Sequence, residues 1–130
     1  MKEKIKLLFL MVVVLFSSGA AVGEPTTPES TYFLAKDQIT QLTTLALGGS
    51  GGAALLLSRY YSNVTIDLDA SLKWAIIGAE NGDANCMYTA YAFLEKRESG
   101  EDRLRAKFWL KKAASLGYRP AIEHQKLDRS

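Results

Sequence analysis

The sequence predicts an all-α protein, a short α/α solenoid of antiparallel helix pairs. Three observations predict it: residues recur at a period of thirty-five positions, apolar residues follow helical spacing, and acidic and glycine residues recur where helices would begin and end. The recurring residues are Asp67, Ser71, Trp74, Gly78, Ala79 and Gly82, then Asp102, Ala106, Trp109, Ala113, Ala114 and Gly117. Periods of this size are typical of stacked helix pairs, in which each unit buries its apolar face against the next.

The chain opens with the features of a secretory signal peptide. Three lysines precede an unbroken apolar run over residues 7–16, and small residues follow at 17–21. Cleavage after Gly23 or after Ala20 would satisfy the small-residue rule, so we predict a signal peptide over residues 1–23. The run is shorter than the roughly twenty apolar residues of a membrane span, which makes an uncleaved anchor the less favoured alternative. We therefore expect the mature protein in the periplasm.

Residues 24–30 contain two prolines and predict a linker, and residues 31–47 predict an N-terminal capping helix. Apolar residues of the second segment recur imperfectly at spacings of three and four, among four threonines that weaken helix propensity. Such a cap is needed because two and a half units are fewer than the three or so that bury a continuous core. The glycine-rich residues 48–52 should end this helix. A phosphate-binding loop is disfavoured there because no Lys-Ser or Lys-Thr pair follows.

Residues 49–81 and 82–116 predict two complete units, and residues 117–130 predict a partial third unit with a C-terminal cap. In each unit, apolar residues spaced by three and four predict a first and a second helix. The first helices carry Ala53, Leu56, Leu57, Tyr60 and Tyr61, then Cys86, Met87, Ala90, Phe93 and Leu94. The second helices carry Leu68, Leu72, Ala75, Ile76 and Ala79, then Leu104, Phe108, Leu110 and Ala113.

The ends of the second helices are predicted from residue type. Asp67 and Asp102 stand where each helix should start, so that each carboxylate can accept free backbone N–H groups of the first turn. Gly82 and Gly117 stand just past the expected helix ends, where a left-handed residue is favoured. The two tryptophans occupy matching places in the two units and are therefore predicted to pack between paired helices.

These residues resemble the Sel-like repeat family, which is related to the tetratricopeptide repeats. The resemblance covers roughly residues 49–121, and its specific part is D-x-x-x-[small]-x-x-W-x-x-x-[small]-A-x-x-G. This pattern occurs from Asp67 to Gly82 and from Asp102 to Gly117. The resemblance implies helix pairs stacked into a short right-handed superhelix that binds other molecules.

Three residues depart from the family pattern. Cys86 replaces a small alanine-type residue, and Ser58 and Tyr91 stand where the family usually has glycine. Because glycine permits a close approach of paired helices, the ring of Tyr91 predicts that the second pair is splayed.

Charge argues against nucleic acid or an anionic membrane as the partner. The chain has sixteen basic and fourteen acidic residues, and without residues 1–23 it has thirteen of each. One basic cluster remains, in Arg103, Arg105, Lys107, Lys111 and Lys112. It is interpreted as a solvated helix face balanced by nearby carboxylates, with an acidic protein partner as the alternative. These carboxylates are Glu95, Glu98, Glu101 and Asp102.

No catalytic site, metal site or cofactor is predicted. His124 is the only histidine and Cys86 the only cysteine, and neither lies in a motif that would pair them. We expect His124 on the surface of the terminal helix and Cys86 as an inert residue of the core. We therefore do not expect an enzyme.

The residues that contact a partner are sought among tyrosines outside the repeat pattern. First helices of a helical solenoid line its concave face, where partners usually dock, and tyrosine and arginine supply much of the energy of typical interfaces. Arg59, Tyr60, Tyr88 and Tyr91 are therefore the predicted contact residues. Tyr118 is expected to face outward with them.

Small secreted proteins resembling this family occur as periplasmic antidotes to phospholipase effectors of type VI secretion. The resemblance therefore predicts a periplasmic protein–protein interaction module, an immunity protein that binds and neutralises such an effector. The alternative is an envelope adaptor or regulator that binds a resident periplasmic or membrane protein. A remote alternative is a hydrolase related to β-lactam-binding repeat proteins, which predicts loss of turnover when His124 or Ser58 is replaced.

Overall fold

The computed structural model describes residues 31–130, and the secondary structure of this part is helical. The helices are α1 (Lys36–Leu47), α2 (Gly51–Asn63), α3 (Leu68–Glu80), α4 (Ala84–Leu94), α5 (Gly100–Ser115) and α6 (Arg119–Leu127). Each helix packs against the next, which confirms the predicted short α/α solenoid. The predicted signal peptide and linker, residues 1–23 and 24–30, lie outside the described residues.

The helices form two rows. The row of first helices contains α2, α4 and α6, and the row of second helices contains α1, α3 and α5. Contacts between α2 and α4 and between α1 and α3 join neighbours within the rows. The helices α2 with α3 and α4 with α5 are the two complete pairs, and α6 is the predicted half of a third.

The N-terminal helix starts later than the sequence predicts. It was expected from residue 31, but Ala35 has an extended backbone and α1 begins at Lys36. The side chain of Gln38 accepts a hydrogen bond of 2.8 Å from the backbone N–H of Ala35. This bond satisfies a backbone donor at the helix start, which fixes the boundary there.

All three second helices end in the same way. Gly49, Gly82 and Gly117 follow α1, α3 and α5 with φ of 109°, 88° and 82°. Each glycine N–H donates to a carbonyl three residues earlier, at 3.0–3.1 Å, and the next residue's N–H donates to one five residues earlier. This pairing satisfies the last carbonyls of a helix, and glycine adopts the left-handed conformation without steric cost. The prediction for Gly82 and Gly117 is confirmed, and α1 takes the place of a second helix in an incomplete preceding unit.

The second helices of the two complete pairs, α3 and α5, begin differently. Asp67 caps α3 as predicted, because its Oδ1 accepts a hydrogen bond of 2.9 Å from the N–H of Ala70. The same prediction for Asp102 is wrong, because α5 begins at Gly100 and the hydroxyl of Ser99 accepts from the N–H of Asp102 at 3.4 Å. Asp102 lies in the first turn, where its charge still interacts favourably with the helix dipole.

The core contains both tryptophans, as expected from their matching positions in the two units. The buried residues of α5 are Ala106, Trp109, Leu110 and Ala113. Leu104 and Phe108, which were predicted on the same apolar face, are instead 70% and 44% exposed. They lie on the opposite side of α5, because residues four apart share a helix face and their face turns away from α4 and α6. Leu56 and Leu68 are likewise exposed.

A change of side-chain size distinguishes the two units. In unit one, Gly78 lies so close to buried Cys86 that a Cβ at residue 78 would collide with the Cys86 sulfur and lie 2.9 Å from its Cβ. Thirty-five residues later, the corresponding residues are Ala113 of unit two and Ala121 of the partial third unit, both fully buried. The absent methyl group of Gly78 therefore makes room for Cys86. Cys86 lies in the core, as predicted, and burial raises the pKa of its thiol, which favours the neutral form.

A second difference lies at Ser58. Its hydroxyl is 3.0 Å from that of Ser71, which also donates to the carbonyl of Ser58 at 2.8 Å. In unit two the corresponding residues are Tyr91 and Ala106, both part of the buried core. Unit one thus has two buried hydroxyls that form hydrogen bonds, whereas unit two has one large ring beside a small side chain.

Replacing Ile66 with asparagine is expected to increase the free energy of unfolding by about 1 kcal/mol. Ile66 has φ of 55° in the turn between α2 and α3, a conformation that costs a β-branched residue about 1–2 kcal/mol. Its side chain is 67% exposed, so little burial is lost. Urea denaturation measures the change. Ile66→Val retains the branch and should not stabilise, and a destabilised Ile66→Asn protein would contradict the strain.

Candidate functional site

An aromatic cluster joins α4 to α6 in the row of first helices. It consists of Tyr88 and Tyr91 of α4, Tyr118 at the start of α6 and His124 within α6. The centroid of the Tyr88 ring lies 5.6 Å from that of Tyr91 and 5.5 Å from that of Tyr118. The centroids of the Tyr91 and His124 rings lie 5.1 Å apart. Rings at these separations attract each other beyond the effect of burial alone, so the cluster holds its members in place.

Tyr91 is the buried centre of this cluster. Its side chain is 4% exposed, and its hydroxyl lies 2.7 Å from Nε2 of His124. Burial raises the pKa of Tyr91, assisted by the carboxylate of Glu95, so the hydroxyl stays protonated and can donate to a neutral imidazole.

The prediction that Tyr91 faces outward is therefore wrong. Tyr91 follows Met87 by four residues and precedes Leu94 by three, which places it on the buried face of α4. The prediction for His124 is also corrected, because the imidazole is half-buried and hydrogen-bonded.

Arg59 of α2 interacts electrostatically with a member of this cluster. Burial raises the pKa of Tyr118, and the positive charge of Arg59 acts in the opposite direction. The same charge acts on Cys86. Arg59 is half-buried, and no carboxylate of residues 31–130 lies within 4.0 Å of its nitrogen atoms. The guanidinium therefore retains its capacity to bind an anionic group.

The four predicted contact residues do not form one patch. The ring of Tyr88 packs against that of Tyr118, the charge of Arg59 acts on the Tyr118 phenol, and all three residues are half-buried. Tyr60 follows Arg59 by one residue, which turns it about 100° around α2, and its ring packs edge-on against Tyr61 at 5.2 Å. We name Arg59, Tyr88 and Tyr118 the Arg59 site.

Tyr118 is the member of this site that the sequence prediction underrated. It occupies the N-cap position of α6, as Asp83 does for α4, but the side chain of Tyr118 makes no capping hydrogen bond. The repeat pattern does indicate the location of Tyr118, which directly follows the left-handed Gly117. Each first helix begins directly after such a glycine and lies next to the preceding first helix.

The Arg59 site offers hydrogen-bond donors and aromatic surface. A guanidinium pairs with carboxylate or phosphate through two parallel bonds, and phenol rings bury apolar area while their hydroxyls bond to polar groups. Ser58 and His124, the residues named for a hydrolase, are bonded to Ser71 and Tyr91. Residues 31–130 contain no group of three or more His, Cys, Asp or Glu side chains placed to hold a metal ion. The arrangement is suited to binding.

No helix within residues 31–130 has the length and apolar character required to cross a membrane. Comparisons with models of protein families, with curated proteins and with solved structures gave no match to this chain.

Proposed function

We propose that this chain is a Sel-like repeat protein of the periplasm that binds one protein partner through the row of first helices. Within this class, we propose an immunity protein that neutralises a phospholipase-type effector of type VI secretion. The observation that supports binding is the Arg59 site. Its half-buried guanidinium has no ion-pair partner among the described residues and acts electrostatically on Tyr118, whose ring packs against that of Tyr88.

The energetics of protein interfaces favour this site. Interface energy is concentrated in a few tyrosine, tryptophan and arginine side chains that become desolvated on binding. The rings of Tyr88 and Tyr118 already rest against each other, so binding immobilises less side-chain freedom than it would for isolated residues. The partner is expected to present a carboxylate to Arg59, surrounded by apolar surface for the two rings.

We expect Arg59→Glu and Tyr88→Ala each to weaken binding by about thirtyfold or more, because loss of an interface hot spot costs about 2 kcal/mol. Isothermal titration calorimetry with the effector encoded beside this chain measures the affinity. Growth of cells that produce this effector in the periplasm measures protection. Lys36→Glu reverses a charge on α1, away from the site, and should change neither affinity nor protection.

If the purified chain neither binds nor inhibits a co-encoded toxin, the immunity proposal is wrong. If the chain instead binds a resident envelope protein, and Arg59→Glu abolishes that complex, the adaptor role replaces the immunity role. Both outcomes use the same variants, so the experiment separates the identity of the partner from the location of the binding site.

A further inference from the structure

The outward side of α5 combines exposed apolar and cationic side chains. Leu104 and Phe108 lie one turn apart on this side and are exposed. Four cations flank them, and all are exposed. We name the whole set, Leu104, Arg105, Lys107, Phe108, Lys111 and Lys112, the α5 outer face.

Two of the cations are held against aromatic rings. The Arg105 guanidinium carbon lies 4.7 Å from the ring centroid of Phe108 and 5.1 Å from that of Trp109. The Lys112 ammonium lies 5.6 Å from the Phe108 centroid. Phe108 and Trp109 pack edge-on at 4.9 Å, which fixes the rings relative to each other. A guanidinium stacked on rings keeps its N–H groups available in the plane, so Arg105 is oriented for a planar anion.

The charges of this face are not neutralised within the described chain. The sequence predicts that the carboxylates of residues 95–102 balance them, but no carboxylate of residues 31–130 lies within 4.0 Å of the four cations. The ion pairs found in this part of the chain are Arg97 with Asp69 and Arg119 with Glu123. The α5 outer face therefore presents four unpaired positive charges around two exposed apolar side chains.

We propose that the α5 outer face docks an acidic protein segment. Arg105 and Lys112 are seven residues apart, which places them about 10 Å apart along the helix. The segment would present carboxylates at this spacing, with an apolar side chain between them that contacts Leu104 and Phe108. A fixed guanidinium recognises a carboxylate through two parallel bonds. An anionic lipid surface is less favoured because residues 24–130 carry thirteen basic and thirteen acidic side chains, without the overall surplus of positive charge that such a surface attracts.

This surface belongs to the row of second helices, whereas the Arg59 site belongs to the row of first helices. The two sites share no residue, so the inference does not depend on the function proposed above. A chain that uses both sites holds two protein segments at once.

Binding of a synthetic peptide of Glu-Glu-Leu repeats tests the proposal, because in the polyproline II conformation, with three residues per turn, its glutamates recur on one side about every 9 Å. In an NMR titration of the ¹⁵N-labelled protein, we expect saturable shifts centred on Leu104–Lys112. Arg105→Gln and Lys112→Gln should each weaken binding about fivefold, as expected for loss of one exposed ion pair. Phe108→Leu keeps the charges and removes the ring, and it should weaken binding by releasing Arg105.

Lys73→Gln is the matched control, because Lys73 also lies over a tryptophan, 5.5 Å from the Trp74 centroid on α3. It should leave the affinity unchanged. The proposal is overturned if Lys73→Gln weakens binding as much as Arg105→Gln, because the effect would then be one of net charge. It is also overturned if a Gln-Gln-Leu peptide binds equally well, or if phosphatidylglycerol vesicles bind through these residues and the acidic peptide does not.

Discussion

Gly78→Ala is expected to destabilise the protein by about 2 kcal/mol, although alanine is the better helix former. The new methyl group would collide with the Cys86 sulfur and lie 3.1 Å from the Cβ of Ala54. Cys86 and Ala54 are fully buried, and forcing a methyl group into a close-packed core costs about 1–3 kcal/mol or more. The propensity gain of about 1 kcal/mol does not offset a contact this close. Urea denaturation measures the loss.

A second substitution, at Cys86, is expected to restore stability to the Gly78→Ala variant. Combining Gly78→Ala with Cys86→Ala recreates the pair Ala113 and Ala121, which lies thirty-five residues later, so the double variant should recover much of the lost stability. Gly52→Ala is the control, because a Cβ there meets nothing within 4 Å, and it should stabilise α2 by about 0.5–1 kcal/mol. A neutral Gly78→Ala variant, or a double variant no more stable than the single one, would contradict the size exchange between the units.

Tyr91→Ala is expected to lower the free energy of unfolding by about 3–5 kcal/mol, the usual cost of removing a buried aromatic side chain. The ring fills space between α4 and α6, and its hydroxyl bonds to His124. A helix of nine residues is unstable in isolation, so α6 depends on this contact and on buried Ala121. We expect urea denaturation to show the loss, and hydrogen exchange of α6 amides to accelerate more than that of α2 amides.

Tyr91→Phe separates the ring from the hydrogen bond. The ring stays buried, and half-exposed His124 can bond to water instead, so the cost should be about 1 kcal/mol. If Tyr91→Phe costs as much as Tyr91→Ala, the hydrogen bond rather than the packed ring holds α6. If Tyr91→Ala costs nothing, the ring does not support the core.

Much of the fold was predictable because local residues specify it. The thirty-five-residue recurrence and the glycines after α3 and α5 set the units, since the left-handed glycine acts through backbone geometry that neighbours hardly change. Asp102 was misplaced because Ser99, three residues earlier, supplies the cap. Leu104 and Phe108 were misplaced because spacing shows which residues share a helix face, whereas the packing of α4 and α6 decides which face is buried.

The candidate site was less predictable because it depends on contacts between distant residues. Arg59 and Tyr88 were predicted from residue type, since arginine and tyrosine are common at interfaces, and their contact with a partner stays a prediction. The burial of Tyr91 and its bond to His124 join residues thirty-three positions apart, and no local pattern indicates that distance. The orientation of Tyr60 away from Arg59 depends on the rotation of α2, where one residue changes the direction by about 100°.

The central claim is that the row of first helices holds the partner, and hydrogen exchange of the complex with the co-encoded effector tests it most directly. Exchange measured by mass spectrometry should show protection in the peptides that contain Arg59, Tyr88 and Tyr118, with α3 unchanged. Protection confined to α3 and α5, or no protection in any part of the chain, would contradict the claim.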